Sequence, residues 1–133
     1  MKKYISLSER IFIAGASGMV GSAIYRQLLK AGYGDIKNQG IIFTPSRKEL
    51  DLLDAESVKK WFAKNKPTIV ILAAAKVGGI ISNTNFPADF ILENLKIQTN
   101  IIDTAWRSGS KRLLFLGSSC IYPKFAIQPI KEE

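Results

Sequence analysis

The sequence predicts an α/β fold: a Rossmann-like parallel sheet with flanking helices, truncated to about four strands of the full sheet. Two observations support this fold. Short apolar runs alternate with helical patterns, which implies right-handed crossovers between parallel strands. The runs are apolar throughout, as is typical of strands that helices cover on both faces. The predicted strands are residues 11–14, 41–44, 68–74 and 112–117.

Three helices are predicted between these strands, from apolar residues that recur at helical spacing. In the first helix, which Gly32 ends, the inward residues are Val20, Ile24, Leu28 and Ala31. The second begins after an N-cap at Asp54 and ends before Pro67, and its inward residues are Val58, Trp61 and Phe62. The third runs from about Pro87 to Ser108, and its inward residues are Ile91, Leu95, Ile102 and Ala105.

A glycine-rich turn, residues 15–21, connects the first strand to the first helix with the spacing G-x-x-G-x-x-G. Glycines at such a turn allow a sharp bend, a close approach to a pyrophosphate and tight helix–strand packing. The helix N-terminus adds unpaired N–H groups and the positive end of its dipole. This context predicts dinucleotide binding, with turn geometry alone as the alternative. The predicted contacts are Gly15, Ser17, Gly18, Met19, Val20 and Gly21.

The end of the second strand distinguishes NADP from NAD. An acidic residue there would bind the adenosine ribose and repel a 2′-phosphate. This chain instead has Ser46 and Arg47, with no carboxylate before Glu49. Because Arg47 can pair with a phosphate and Ser46 can add a hydroxyl, we expect NADP as the cofactor. The alternative is that Arg47 is only a charged loop residue.

Residues after the second and third strands complete the predicted cofactor site. Asp51 can accept a hydrogen bond from the adenine amino group while Leu52 packs on the ring, whereas Asp54 is expected to cap a helix. Small side chains at Ala73, Ala74 and Ala75 leave room for a flat cofactor, although helix–sheet packing would also explain them. Lys76 is placed for a phosphate, with a merely exposed lysine as the alternative.

Hydroxyls and a thiol follow the fourth strand, where this fold holds its substrates. Ser118 can bind a substrate oxygen, and Cys120 can exchange protons if its pKa falls. An ordinary turn would also explain this segment.

Composition and charge indicate the number of domains, the compartment and the kinds of partner that we expect. The chain has 133 residues, is 47% hydrophobic and contains one cysteine, which fits one domain or part of one in a reducing cytoplasm. The net charge of +8 comes from scattered basic residues, so we expect no nucleic-acid partner. The longest uncharged run, residues 11–25, is too short and polar to span a membrane. No metal site is predicted.

Taken together, residues 15–21, 73–79 and 116–124 resemble the extended short-chain dehydrogenases/reductases, over nearly the whole chain from Arg10 onward. The motifs are most similar to those of NADP-dependent nucleotide-sugar epimerase/reductases. The resemblance implies a cytoplasmic enzyme that makes GDP-L-fucose from GDP-4-keto-6-deoxy-D-mannose. Its full-length form is expected to be a homodimer. The alternative is a non-catalytic NAD(P)-binding module that senses redox state.

The resemblance also implies roles for individual residues. Ser118 would be the catalytic serine that binds the sugar keto oxygen, and Cys120 would be one partner of the epimerisation acid/base pair. Arg47 would bind the 2′-phosphate and Lys76 would lie near the cofactor phosphates or ribose. Asp51 and Leu52 would contact the adenine.

Two parts of the family's chemistry are not found in this sequence. It contains no histidine for the second acid/base group. The spacing of the family's catalytic Tyr-x-x-x-Lys occurs only at residues 33–37, before the second strand, where we interpret it as coincidence. Residues 1–133 are therefore expected to be a partial NADP-binding Rossmann domain, the N-terminal part of a longer enzyme, and inactive by themselves.

Overall fold

The structure is a computed structural model that describes residues 5–118, 121–123 and 125–132. Within these residues, the strands are β1 (Arg10–Ala14), β2 (Ile41–Phe43), β3 (Ile69–Leu72) and β4 (Arg112–Phe115). The α-helices are α1 (Met19–Lys30), α2 (Ala55–Asn65), α3 (Ile80–Asn85) and α4 (Pro87–Arg107). A short 3₁₀ helix, Ile36–Asn38, precedes β2.

The four strands form one parallel sheet in the order β2-β1-β3-β4, which confirms the predicted fold class. The chain leaves β1 toward β2 on one side and later returns to β3 on the other side. The strand order therefore reverses between β1 and β3. In open α/β sheets, ligands bind beyond the carboxyl ends of the strands at this switch point.

Neighbouring residues of a strand point to opposite faces of the sheet, and both faces are covered. On one face, Phe12 and Val70 belong to a buried cluster with residues of α2 and α4. On the other face, Ile11 and Ile71 pack with residues of α1, including Leu28. Because β1 and β3 contribute buried residues to both clusters, their sequences are apolar without alternation. This confirms the physical basis of the predictions for these two strands, whereas β4 is apolar although its side chains are exposed.

Local signals fix several helix boundaries. Asp54 caps α2, since its Oδ1 accepts the Glu56 N–H at 3.0 Å and its Oδ2 accepts the Ser57 hydroxyl at 2.5 Å. These hydrogen bonds, that from Ser57 most of all, hold the pKa of Asp54 below its usual range. Pro87 occupies the first turn of α4. The predicted cap at Asp54 and the predicted start of the third helix are confirmed.

The predicted inward face of α4 is wrong in part. Ile91, Leu95 and Ile102 are 62%, 53% and 41% exposed. The buried residues of α4 are instead Ile97, Ile101, Thr104 and Ala105. The helix is apolar on two neighbouring stripes, so its periodicity does not tell which stripe faces the sheet. Of the four predicted inward residues, Ala105 is buried, so the prediction is confirmed for that residue only.

Smaller differences occur elsewhere. Val20, in the first turn of α1, is 46% exposed because it faces the open space at the ends of the strands. The helix α3 was not predicted, and β3 and β4 are shorter than the runs 68–74 and 112–117. Apolar side chains of β4 lie at the sheet edge, with Leu114 51% exposed. Tyr33 is buried and its hydroxyl donates to the Ile5 carbonyl at 3.1 Å, which supports a structural role for that tyrosine.

We predict that Gly21→Ala destabilises the fold. A Cβ at this position would lie 2.1 Å from the Gly15 carbonyl oxygen, so α1 would have to move away from the glycine turn. The expected loss in the free energy of unfolding is about 1–3 kcal/mol, measured by urea denaturation of the full-length protein. Gly79→Ala is the matched control, because its Cβ would meet nothing within 4 Å. Equal stability of the two variants would contradict this packing argument.

Candidate functional site

The glycine turn brings the start of α1 against the ends of two strands. Gly15 has φ +83°, and a Cβ there would lie 2.8 Å from the Ala73 carbonyl oxygen and the Ala74 backbone. The turn is closed by the Gly18 N–H, which donates to the Gly15 carbonyl at 3.0 Å. Because no side chain separates them, the turn lies directly against the residues that follow β3. Open space remains beyond the carboxyl ends of β1 and β3.

That space is a cleft of approximately 740 Å³ at the switch point of the sheet. The predicted cofactor residues that line it are Gly15, Ser17, Gly18, Met19, Val20, Arg47, Asp51, Leu52, Ala73, Ala74, Ala75 and Lys76. The cofactor residues predicted from the sequence therefore include most of the residues that line the cleft. Residues of the wall that were not predicted include Pro45, Leu53, Val77 and Glu93.

Two of the predicted cofactor residues do not line the cleft. Gly21 is buried, where it allows α1 to approach the turn. Ser46 faces Glu49 instead, since its N–H and its Oγ both donate to Glu49 Oε2 at 2.8 Å. These two bonds hold the pKa of the Glu49 carboxyl below its usual range. The Ser46 hydroxyl is therefore already engaged in closing the turn that carries Arg47.

Two cations lie on the cleft wall in different electrostatic settings. Lys76 Nζ forms an ion pair with Glu93 Oε1 at 2.5 Å, and both side chains are about one-third exposed. Within the described residues, Arg47 makes no ion pair or side-chain hydrogen bond. The charge of Lys76 is thus largely neutralised by the protein, whereas that of Arg47 remains available to an anionic ligand.

Asn94 of α4 fixes the backbone at Lys76. The Lys76 N–H donates to Asn94 Oδ1 at 2.8 Å, and Asn94 Nδ2 donates to the carbonyls of Lys76 and Phe90, each at 2.9 Å. Glu93 and Asn94 were absent from the predicted site. No local signal distinguishes these two residues, because α4 carries many other polar side chains and nothing in the sequence says which strand end each of them faces.

Of the two predicted catalytic residues, Ser118 is among the residues that the structure describes. Ser118 follows β4, is exposed, and does not line the cleft. Its carbonyl accepts the Ile121 N–H at 3.3 Å. Cys120 lies outside the described residues. Ser118 is nevertheless at the carboxyl end of the sheet, as the strand prediction required.

The described part of the chain contains no group of three or more His, Cys, Asp or Glu residues suited to a metal ion. No helix in that part is long and apolar enough to cross a membrane.

Comparison with known proteins establishes the family. The profile of the NAD dependent epimerase/dehydratase family matches residues 11–133. The chain belongs to this family. The resemblance that the sequence motifs indicated is thereby confirmed.

Relatives within the family share much of the sequence. The chain is 56% identical over 125 residues to a putative GDP-L-fucose synthase 2 of Arabidopsis thaliana, covering 94% of this chain and 36% of that protein. It is 50% identical over 133 residues to a GDP-L-fucose synthase of Sinorhizobium fredii, covering 100% of this chain and 40% of that protein.

A solved structure shows the same arrangement. The GDP-L-fucose synthetase of Naegleria fowleri, bound to NADP, superposes with a TM-score of 0.80 at 31% identity. The match covers 96% of this chain and 36% of that chain. The chain thus spans well under half the length of these relatives. These matches do not favour the alternative of a non-catalytic module.

We predict that Glu93→Gln strengthens the binding of anions in the cleft. Removing this carboxylate leaves the Lys76 ammonium without its partner, so the local potential becomes more positive. The expected result is a severalfold tighter binding of ADP, measured by calorimetry at low ionic strength.

Glu56→Gln is the matched control, because it removes the same charge from an exposed pair with Lys59 on α2. Equal effects of the two substitutions, or no effect of Glu93→Gln, would contradict a local role of the Lys76–Glu93 pair.

Proposed function

We propose that the full-length protein is a cytoplasmic, NADP-dependent epimerase/reductase that makes GDP-L-fucose from GDP-4-keto-6-deoxy-D-mannose. The names of its relatives support the reaction and the substrate class. The glycine turn, the cleft at the switch point and the unpaired Arg47 support the cofactor. Arg47 carries the argument, because it is an available cation at the end of β2, where a dinucleotide's adenosine ribose lies in this fold.

The cleft residues fit an NADP molecule. Its pyrophosphate would approach the turn at Gly15 and Gly18, where the first turn of α1 has no acidic residue to repel it. Its adenine would lie against Leu52, with Asp51 as acceptor, and its 2′-phosphate would pair with Arg47. A flat ring system would pass over the alanines at 73–75. Ser46 contributes a phosphate contact only if its hydroxyl leaves Glu49.

The substrate chemistry is assigned to residues that follow β4. Epimerisation removes a proton beside a ketone and returns one to the opposite face, so it needs acid/base groups and a polarised carbonyl. We assign Ser118 to the keto oxygen and Cys120 to one proton transfer. NADPH supplies the hydride for the reduction that follows. Nothing in residues 1–133 provides a histidine for the second proton transfer.

A homodimer forms part of the same proposal. Apolar side chains on the outer side of α4 are available for a second subunit, and Ile91 and Leu95 are each more than half exposed. Exposed apolar side chains one helical turn apart, such as these two, are typical of a surface that a partner covers.

We predict that Arg47→Ala removes the preference for NADPH over NADH. A hydrogen-bonded charge pair contributes about 1.5–3 kcal/mol, so NADPH affinity should fall by roughly tenfold or more. NADH affinity should change little, because NADH has no 2′-phosphate. Calorimetry on the full-length protein measures both affinities.

Lys48→Ala serves as the control, since Lys48 is exposed, carries the same charge and does not line the cleft. An equal loss of affinity for both cofactors in Arg47→Ala would reject the assignment of Arg47 to the 2′-phosphate.

We predict that Cys120→Ser and Ser118→Ala separate the two chemical steps. Cys120→Ser should slow deuterium wash-in from solvent at the sugar carbons beside the ketone, because serine is a poor base near neutral pH. Ser118→Ala should slow both wash-in and NADPH oxidation, since both steps need the carbonyl oxygen polarised. Residues 1–133 alone should catalyse neither step. Normal wash-in in Cys120→Ser would overturn its role.

A further inference from the structure

The segment between β2 and α2, residues 44–54, is irregular and carries one whole wall of the cleft. Arg47, Asp51 and Leu52 all belong to it. Their positions relative to the rest of the cleft therefore depend on how this segment is attached to the sheet and helices.

Most hydrogen bonds of the segment are internal. The turn at Ser46 is closed by Glu49, and the Leu53 N–H donates to Asp51 Oδ1 at 3.1 Å. The Asp54 N–H donates to the Asp51 carbonyl at 3.2 Å. Such bonds fix the local shape of the segment but do not place it relative to the opposite wall of the cleft.

The segment is placed by the packing of Leu50, Leu52 and Leu53 on the core and by one hydrogen bond from a residue outside it. Asn100 Nδ2, on α4, donates to the Leu52 carbonyl at 2.8 Å, across 48 positions of sequence. Among the described residues, no other hydrogen bond joins residues 45–53 to a part of the chain outside 45–54. Asn100 lies beside the fully buried Ile101, so the position of its side chain is set by the packing of α4 on the core.

We propose that Asn100 is a positioning residue for the adenosine end of the cofactor. It acts through the Leu52 carbonyl, which fixes the Leu52 side chain and, through the turn before it, Asp51 and Arg47. Because α4 also holds Lys76 through Asn94, one rigid helix sets the spacing between the two walls of the cleft. This inference rests on the proposed cofactor function.

The test compares the two halves of the cofactor as separate probes on the full-length protein. Asn100→Asp keeps the size of the side chain but removes the N–H donor and places a carboxylate against a carbonyl. It should weaken binding of 2′,5′-ADP by about three- to tenfold, the effect of one hydrogen bond. Binding of reduced nicotinamide mononucleotide should not change, and the KM for NADPH should rise without a fall in kcat.

Asn65→Asp is the matched control. Asn65 Nδ2 also donates to a backbone carbonyl, that of Trp61 at 2.9 Å, but at the far end of α2 from the cleft. Neither probe should bind differently to this variant. If Asn100→Asp does not fold in a thermal melt, Asn100→Ser removes the same contact with a smaller, uncharged side chain and decides the question.

The outcomes separate the two claims. If the wild-type protein binds neither NADPH nor 2′,5′-ADP, the proposed cofactor function is wrong. If the wild-type protein binds both, but the Asn100 variants bind 2′,5′-ADP normally or lose both probes equally, the positioning role of Asn100 is wrong. Selective loss of 2′,5′-ADP binding supports it.

Discussion

The close contact between the glycine turn and the ends of β1 and β3 is the constraint on which the site depends. Side chains at Gly15 or Gly21 would collide with backbone atoms at 2.8 Å and 2.1 Å. Their absence allows α1 to begin close to the ends of the strands, so that its first residues, Met19 and Val20, line the cleft. The cleft is therefore a consequence of backbone packing, and the side chains around it adjust its charge and its shape.

Of the two cations on the cleft wall, Arg47 is available to an anionic ligand, whereas Lys76 is paired with Glu93. Glu93 neutralises Lys76, and Asn94 holds the Lys76 backbone in place, so this side of the wall is preorganised without adding a net charge. On the other side, Arg47 extends from a turn that Ser46 and Glu49 close between themselves. Selectivity for a 2′-phosphate would thus depend on one guanidinium presented by a fixed turn.

Much of this could be predicted from the sequence. The sheet, the glycine turn and most of the cleft wall follow from local patterns, because buried parallel strands are continuously apolar and a tight turn needs glycine. The inward side of α4 could not be chosen, because the helix has two apolar stripes and only tertiary packing decides between Ile97 and Leu95. The pairing of Lys76 with Glu93 is likewise a long-range contact that no local pattern encodes. The engagement of the Ser46 hydroxyl is not visible in the sequence either, because it depends on the turn that brings Glu49 Oε2 within 2.8 Å.

The central claim is that NADP binds in the cleft at the carboxyl ends of β1 and β3. Hydrogen–deuterium exchange of the full-length protein with and without NADPH tests this claim most directly. The account predicts that NADPH slows exchange in peptides that contain residues 15–21, 45–53 and 73–77, with little change in the outer turns of α2. Protection confined to other parts of the chain, or no protection in any of these three segments at saturating NADPH, would contradict the account.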